Sequence, residues 1–223
     1  MWRYAVAMFL LLSAMACSRQ PDRAGAAIEP QRNEAAVTDP RPVILAFGDS
    51  LTAGHGVELA NSYPSQLQRE LDNRGHKYRV MNAGISGDTT SGGLSRIDVA
   101  LASHPKIVIL ELGANDGLRG VPIREAKRNL EEMIVKSQAV GAHVVLSGMT
   151  LPLNYGPDFI HDFERMYPDL AKQYKTVLIP FFLEGVAARM DLNQEDGIHP
   201  TAKGYVIVTQ TVLKYIEPLL SRD

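Results

Sequence analysis

"VILAFGDSLTAGHG", Val43 to Gly56, begins as an uninterrupted apolar run and then stops on a glycine, an aspartate and a serine. Val43 to Gly48 contains no polar side chain and includes two β-branched residues and an aromatic one. It reads as a strand buried on both faces, the kind found in parallel sheets. The stop therefore places Ser50 just past the end of a strand. A serine there is either a turn former or a nucleophile held at a sheet edge, and the rest of the chain decides between them.

Working outward, short apolar runs alternate with longer amphipathic ones, as in a parallel sheet with crossover helices. Further strands are expected at Tyr78–Gly84, Lys106–Gly113, His143–Met149 and Thr176–Phe181. Helices are expected at Ser62–Gly75, Thr90–Ala102, Pro122–Gly141 and Thr201–Leu220, where Pro64 and Pro122 sit near helix starts and Gly75 and Gly141 at helix ends. A loop, Thr150–Pro168, passes into a further helix ending near Lys175. The fold expected is α/β: a three-layer α/β/α sandwich around a central, mainly parallel five-stranded sheet, flavodoxin-like in plan. "GDS" follows the first strand, "ISGDT" the second and "GAND" the third. A parallel sheet brings all three to its carboxyl edge, where α/β folds bind ligands.

Composition narrows the function. The chain has 223 residues, is 45% hydrophobic and carries a formal net charge of −2, which suits one domain with a sizeable core. It has no Lys/Arg-rich tract, so no nucleic-acid footprint is expected. "MWRYAVAMFLLLSAMAC" has one early arginine and an apolar run from Tyr4 to Met15, too short to span a bilayer. Residues 1–16 read as a secretory signal peptide. Two endings compete. Ala14-Met15-Ala16 forms an A-x-A cleavage site, giving a free exported protein. "AMAC" resembles a lipoprotein signal with Cys17, the chain's single cysteine, as the lipidated first residue, although Ala14 stands where that pattern prefers leucine. Either ending implies export to a bacterial cell envelope, as a periplasmic or membrane-anchored protein. Residues 17–41 are polar, broken by Pro21, Pro30 and Pro40, and read as a flexible tether, with the folded domain at 42–223.

Acyl transfer requires a nucleophile, a base, a group to orient the base, and donors for the oxyanion. Among six histidines His199, in "DGIHP", is best placed as the base for Ser50, and Asp196 lies three residues before it. That spacing lets the carboxylate reach one ring nitrogen while the other faces the serine. The backbone N–H groups of Ser50 and Gly87 and the side-chain amide of Asn115 are the candidate oxyanion donors. Asp49 and Asp116 are expected to brace their loops by accepting backbone N–H bonds. "DFIH", Asp158 to His161, repeats the D-x-x-H spacing but lies near a helix start, where an acidic residue suits the helix dipole. His55, His76, His104 and His143 have no ligand-spaced partners, so no metal site is expected.

"GDSLT" (Gly48–Thr52), "SGDT" (Ser86–Thr89), "GANDGLRG" (Gly113–Gly120) and "DGIHP" (Asp196–Pro200) resemble the four motif blocks of the SGNH (GDSL) hydrolases, in order and across nearly all of Pro42–Leu220. Within that family the chain is most similar to the arylesterase, acyl-CoA thioesterase I and lysophospholipase L1 group. The resemblance implies Ser50 as nucleophile, His199 as base, Asp196 as its partner, Gly87 and Asn115 as oxyanion donors beside the serine amide, and no metal or cofactor. Ala114 stands where a second glycine is often found. The G-x-S-x-G elbow of common α/β-hydrolases is absent, because Thr52 occupies its second glycine position.

The function expected is a serine esterase acting through an acyl-enzyme on short- to medium-chain acyl or aryl esters, with thioesters and lysophospholipids within its range. Small-molecule esters or lipids are its expected partners, and the membrane enters only through Cys17. Leu118, beside glycines that permit movement, and Leu151 and Pro152, in an apolar loop past the fourth strand, are assigned to substrate binding. In sequence, that loop reads equally as the wall of an acyl pocket or as a cover over the core. A deacetylase of envelope polysaccharide keeps the chemistry with another substrate. A tethered binding module keeps the fold alone.

Overall fold

The protein is described by a computed structural model over residues 39–220. The signal peptide and nearly all of the tether assigned from sequence lie outside the described residues. The elements run β1 (Val43–Gly48), α1 (Ser50–Ala53), α2 (Tyr63–Asn73), β2 (Arg79–Gly84), α3 (Thr90–Leu101), β3 (Ile107–Glu111), α4 (Ala114–Leu118), α5 (Ile123–Ala139), β4 (His143–Ser147), α6 (Pro157–Tyr174), β5 (Val177–Ile179) and α7 (Ala202–Ile216). Just before β1, the Arg41 guanidinium hydrogen-bonds Asp39 and reaches Asp72 on α2, so the last residues of the assigned tether already touch the domain.

The five strands form one all-parallel sheet in the order β2-β1-β3-β4-β5. Parallel strands cannot be joined by tight hairpins, so each connection crosses the sheet through a helix. Helices α2 and α7 pack together on one face, and α3, α5 and α6 side by side on the other. Every residue of β1 and β3 is buried, which explains their unbroken apolar runs, whereas the edge strand β2 is only half-buried. Tyr63, Leu67 and Leu71, four residues apart on α2, supply one helical stripe of the core.

The chain leaves β1 toward β2 on one side and returns to β3 on the other. The switch point therefore lies between the carboxyl ends of β1 and β3, the crevice in which doubly wound folds bind ligands. The register sets those ends level: Gly48 pairs with Gly84 of β2 and with Glu111 of β3. Three of the four motif blocks thus leave the sheet at one height.

Two elements differ from expectation. The segment Thr150–Pro168 is not a loop throughout, since α6 begins at Pro157 and runs through Pro168. Pro157 fits a first turn, which needs no N–H donor there. The buried stripe Phe163, Met166, Tyr167, Leu170 and Ala171 then carries the helix past a proline that costs an interior helix about 3 kcal/mol. The last helix stops at Ile216 rather than Leu220, and a 3-10 turn over Glu217–Leu219 accommodates Pro218.

Candidate active site

Ser50 is the first residue of α1, a single turn set directly on the end of β1. Asp49 caps that turn, its Oδ1 accepting the Leu51 N–H at 3.0 Å. The Ser50 and Gly87 N–H groups have no hydrogen-bond acceptor among the described residues and line the same cavity. Gly87 adopts φ +80°, a left-handed conformation that a side chain would strain. Arg119 donates to the Gly87 carbonyl at 2.8 Å, which holds the following Gly87–Asp88 peptide.

His199 comes from the irregular segment ahead of α7. Its Nε2 lies 2.8 Å from Ser50 Oγ, and its Nδ1 lies 2.7 Å from Asp196 Oδ2. The other carboxylate oxygen accepts the N–H groups of Ile198 and His199, each at 3.0 Å. Partial burial works to raise the Asp196 carboxyl. The His199 ring and these two amides outweigh it and hold the group at about 2. With Asp196 ionised, Nδ1 carries the proton and Nε2 presents its lone pair to the serine hydroxyl.

Asn115, on the one-turn helix α4 after β3, donates from Nδ2 to Asp49 Oδ2 at 3.0 Å. An amide nitrogen has two protons, so the second is available on the cavity side. Asp49 is held from beneath. Fully buried Glu111 accepts the Asp49 N–H at 3.3 Å and the Thr52 hydroxyl at 2.8 Å through Oε2, while its Oε1 meets no donor among the described residues. Burial, and then the neighbouring Asp49 charge, push the Glu111 carboxyl well above the usual range. Burial also raises Asp49, to about 6, against hydrogen bonds from Leu51, Glu111 and Asn115. Asp116 accepts the Thr90 N–H and hydroxyl, at 2.8 and 2.6 Å. Asp49 and Asp116 thus brace their loops as the sequence suggested.

The sequence did not point to Arg96. From α3 it donates to the Gly48 carbonyl at 2.9 Å, the Ala83 carbonyl at 2.8 Å and the Asp88 carboxylate at 2.7 Å, with its guanidinium 3.9 Å from the Phe47 ring centroid. One cation ties the ends of β1 and β2 to the residue after Gly87.

These groups open on a cavity of about 490 Å³, within the usual range for small-molecule sites. Leu118, Leu151 and Pro152 line it. Ile198 of the DGIHP block also lines it, as do Met149, Phe181 and Leu183, which lie outside every motif block. Asp158 and His161 lie in the first turns of α6, and His161 faces a separate groove beside Glu164 and Arg165. His55, which had no assigned partner, lies beside His199 with ring centroids 4.6 Å apart. Among the described residues no cluster of three or more His, Cys, Asp or Glu is arranged to hold a metal ion. The site can pass the serine proton directly to an imidazole backed by a carboxylate and offer three N–H donors to an oxygen in an apolar pocket.

Residues 46–207 match the GDSL-like Lipase/Acylhydrolase family. The chain is 44% identical over 178 residues to the esterase TesA of Pseudomonas aeruginosa, spanning 79% of this chain and 89% of that one. It is 36% identical over 181 residues to the thioesterase 1/protease 1/lysophospholipase L1 of Escherichia coli K12, spanning 81% and 86%. A crystal structure of the psychrotrophic esterase EstA from Pseudoalteromonas sp., inhibited by monoethylphosphonate, is similar at 34% identity with a TM-score of 0.76, over 79% of this chain and 97% of that one.

Proposed function

The chain belongs to the GDSL-like lipase/acylhydrolase family and is a serine esterase, and from that premise we propose that Ser50, His199 and Asp196 perform the reaction on short- to medium-chain acyl and aryl esters. Thioesters and lysophospholipids fall within the same range. The observation that carries the assignment is the unbroken chain Ser50–His199–Asp196, at 2.8 and 2.7 Å, facing an apolar cavity of about 490 Å³.

Ser50 Oγ attacks the ester carbonyl as its proton passes to His199 Nε2. Asp196, ionised far below neutral pH, stabilises the imidazolium that forms. The carbonyl oxygen becomes an oxyanion that the Ser50 N–H, the Gly87 N–H and Asn115 Nδ2 can meet together. A donor of this kind is typically worth about 3–4 kcal/mol of barrier. The C–O bond to the leaving alcohol breaks as His199 returns the proton to it, leaving an acyl-enzyme. Water then attacks with His199 again as base, and the acid departs. Leu118, Leu151 and Pro152 line the space where the acyl or aryl group lies.

The N-terminal signal pattern supports export to a bacterial cell envelope, and the place of Cys17 supports a lipid anchor there. An exported enzyme would rarely meet acyl-CoA, so oxygen esters are the substrates to expect. Radiolabelled palmitate should enter the full chain and not its Cys17→Ala variant; a label in both, or in neither, overturns the anchor. The substrate assignment is tested by turnover of p-nitrophenyl esters from acetate to palmitate, beside a lysophospholipid, palmitoyl-CoA and an acetylated sugar. An optimum among the shorter acyl or aryl esters is expected. Turnover of the acetylated sugar alone would make the enzyme a polysaccharide deacetylase.

A further inference from the structure

The nucleophile and the base come from segments 149 residues apart, and each is well tied to its own side of the molecule. The Ser50 turn is fixed to the sheet by Glu111 and Asp49. The base loop is fixed to the chain just before it. Asn193 bridges to Pro200, and its side-chain amide donates to the Val186 and Arg189 carbonyls at 2.7 and 2.8 Å. None of these bonds sets the distance between the two sides. Among the described residues, two hydrogen bonds cross from residues 50–56 to residues 192–201. One is the reacting contact, Ser50 to His199. The other is made by Gln194.

Gln194 Nε2 donates to the His55 carbonyl at 2.8 Å and to the Pro200 carbonyl at 2.9 Å, so both of its amide protons are engaged. Its backbone N–H donates to the His199 carbonyl at 2.8 Å, which makes it part of the loop that carries the base. On the other side, the His55 N–H donates to the carbonyl of Ser50 itself at 3.0 Å. The His55 ring then lies against the His199 ring, tilted at 45° with centroids 4.6 Å apart. The neighbouring position is cut to fit: a Cβ on Gly56, which has φ +73°, would stand 2.0 Å from Gln194 Oε1. A chain of contacts therefore runs from the Ser50 carbonyl through His55 and Gln194 to the Pro200 carbonyl, beside the reacting contact.

We infer that Gln194 and His55 form a clasp that sets the separation of base and nucleophile, and that both are positioning residues for the reaction assigned above, on which this inference rests. Gln194 fixes where the base loop sits against the nucleophile turn, and the His55 ring limits how far the imidazole can swing. A displacement near 1 Å between reacting groups can cost on the order of 100-fold in rate, so a tie at this point acts on turnover rather than on substrate affinity.

The test uses the full chain. Gln194→Met keeps the side-chain volume and removes both donors. It should lower kcat about 10-fold or more, leave KM within about two-fold, and slow labelling of Ser50 by a small organophosphonate in proportion. In the His199→Ala background the same change should cost nothing further, because there is no base left to position. His55→Ala should lower kcat, and His55→Phe, which restores a ring, should recover most of it. If Gln194→Met does not fold, the His55 pair reads the same contact. Wild-type kcat in Gln194→Met, or an equal further loss in the His199→Ala background, overturns the clasp. An unlabelled, inactive wild-type chain would instead overturn the reading beneath it.

Discussion

Ser50 owes its placement to a network of side chains around its turn. Glu111, at the last position of β3, holds the Asp49 N–H and the Thr52 hydroxyl, and Asp49 in turn holds Asn115. Both carboxyls are raised by burial, Asp49 to about 6. From the ordinary carboxylate range up to about pH 6 the folded chain holds a proton on Asp49 that the unfolded chain releases, and Glu111 is raised in the same sense. Stability therefore falls as pH rises through that window. Asp196, held at about 2, acts the other way, and its contribution is lost only as strong acid protonates it. Glu111→Gln keeps an acceptor for both donors and has no proton to lose. Its thermal midpoint should fall less than the wild type's as pH rises above the ordinary carboxylate range, as followed by circular dichroism; parallel curves would contradict the assignment. A second contrast concerns the repeated D-x-x-H spacing. His199→Ala should abolish ester turnover, and His161→Ala should leave it within a few-fold, because only His199 reaches a serine. The proposed reacting residues were legible in sequence because acyl transfer restricts each to few residue types at narrow spacings. Glu111, Arg96 and Gln194 were not, because each has a deciding partner far along the chain: Asp49 and Thr52 for Glu111, Gly48 for Arg96 and His55 for Gln194. The lone acid in "KIVILELG" is the one trace Glu111 leaves.

Among the elements, the shortest ones carry the chemistry. Helices α1 and α4 are four and five residues long, too short to show a helical period, and the sequence reading passed over both. They exist because strand ends and buried carboxylates hold them. The strands and long helices were legible because burial prints its period on them. The passage of α6 through Pro168 was not, because a proline argues against a helix that packing nonetheless maintains. Leu118 ends α4, half-buried at the cavity wall. Leu118→Ala should shift the preferred acyl length in an ester series while lowering stability by about 1 kcal/mol or less. A uniform loss of rate at every length would place Leu118 outside the acyl pocket. Arg96→Met removes the tie between the ends of β1, β2 and the Gly87 loop. It should cost about 1–3 kcal/mol in urea denaturation and lower kcat, since two part-buried carbonyls and Asp88 lose a charged donor. Unchanged stability would show that the three contacts are replaceable.

For the whole molecule, the strand order gathers blocks from the entire domain onto one rim. Ser50 follows β1, Gly87 follows β2, Asn115 follows β3, and the base loop arrives from beside α7. A sequence shows which blocks follow which strands, and that was enough to place them at one edge. It does not show the register that sets Gly48 level with Gly84 and Glu111, nor the cavity that Met149, Phe181 and Leu183 complete, because these depend on packing between distant segments. The account rests on Ser50, His199 and Asp196 acting as one chemical unit. The most direct measurement is covalent labelling by an organophosphonate, with the modified residue mapped by mass spectrometry and the rate followed in wild type, Ser50→Ala and His199→Ala. The account predicts a single label on Ser50, lost in Ser50→Ala, with labelling slowed by orders of magnitude in His199→Ala and esterase activity falling in step. A label on another residue, or His199→Ala labelled at the wild-type rate, would contradict it.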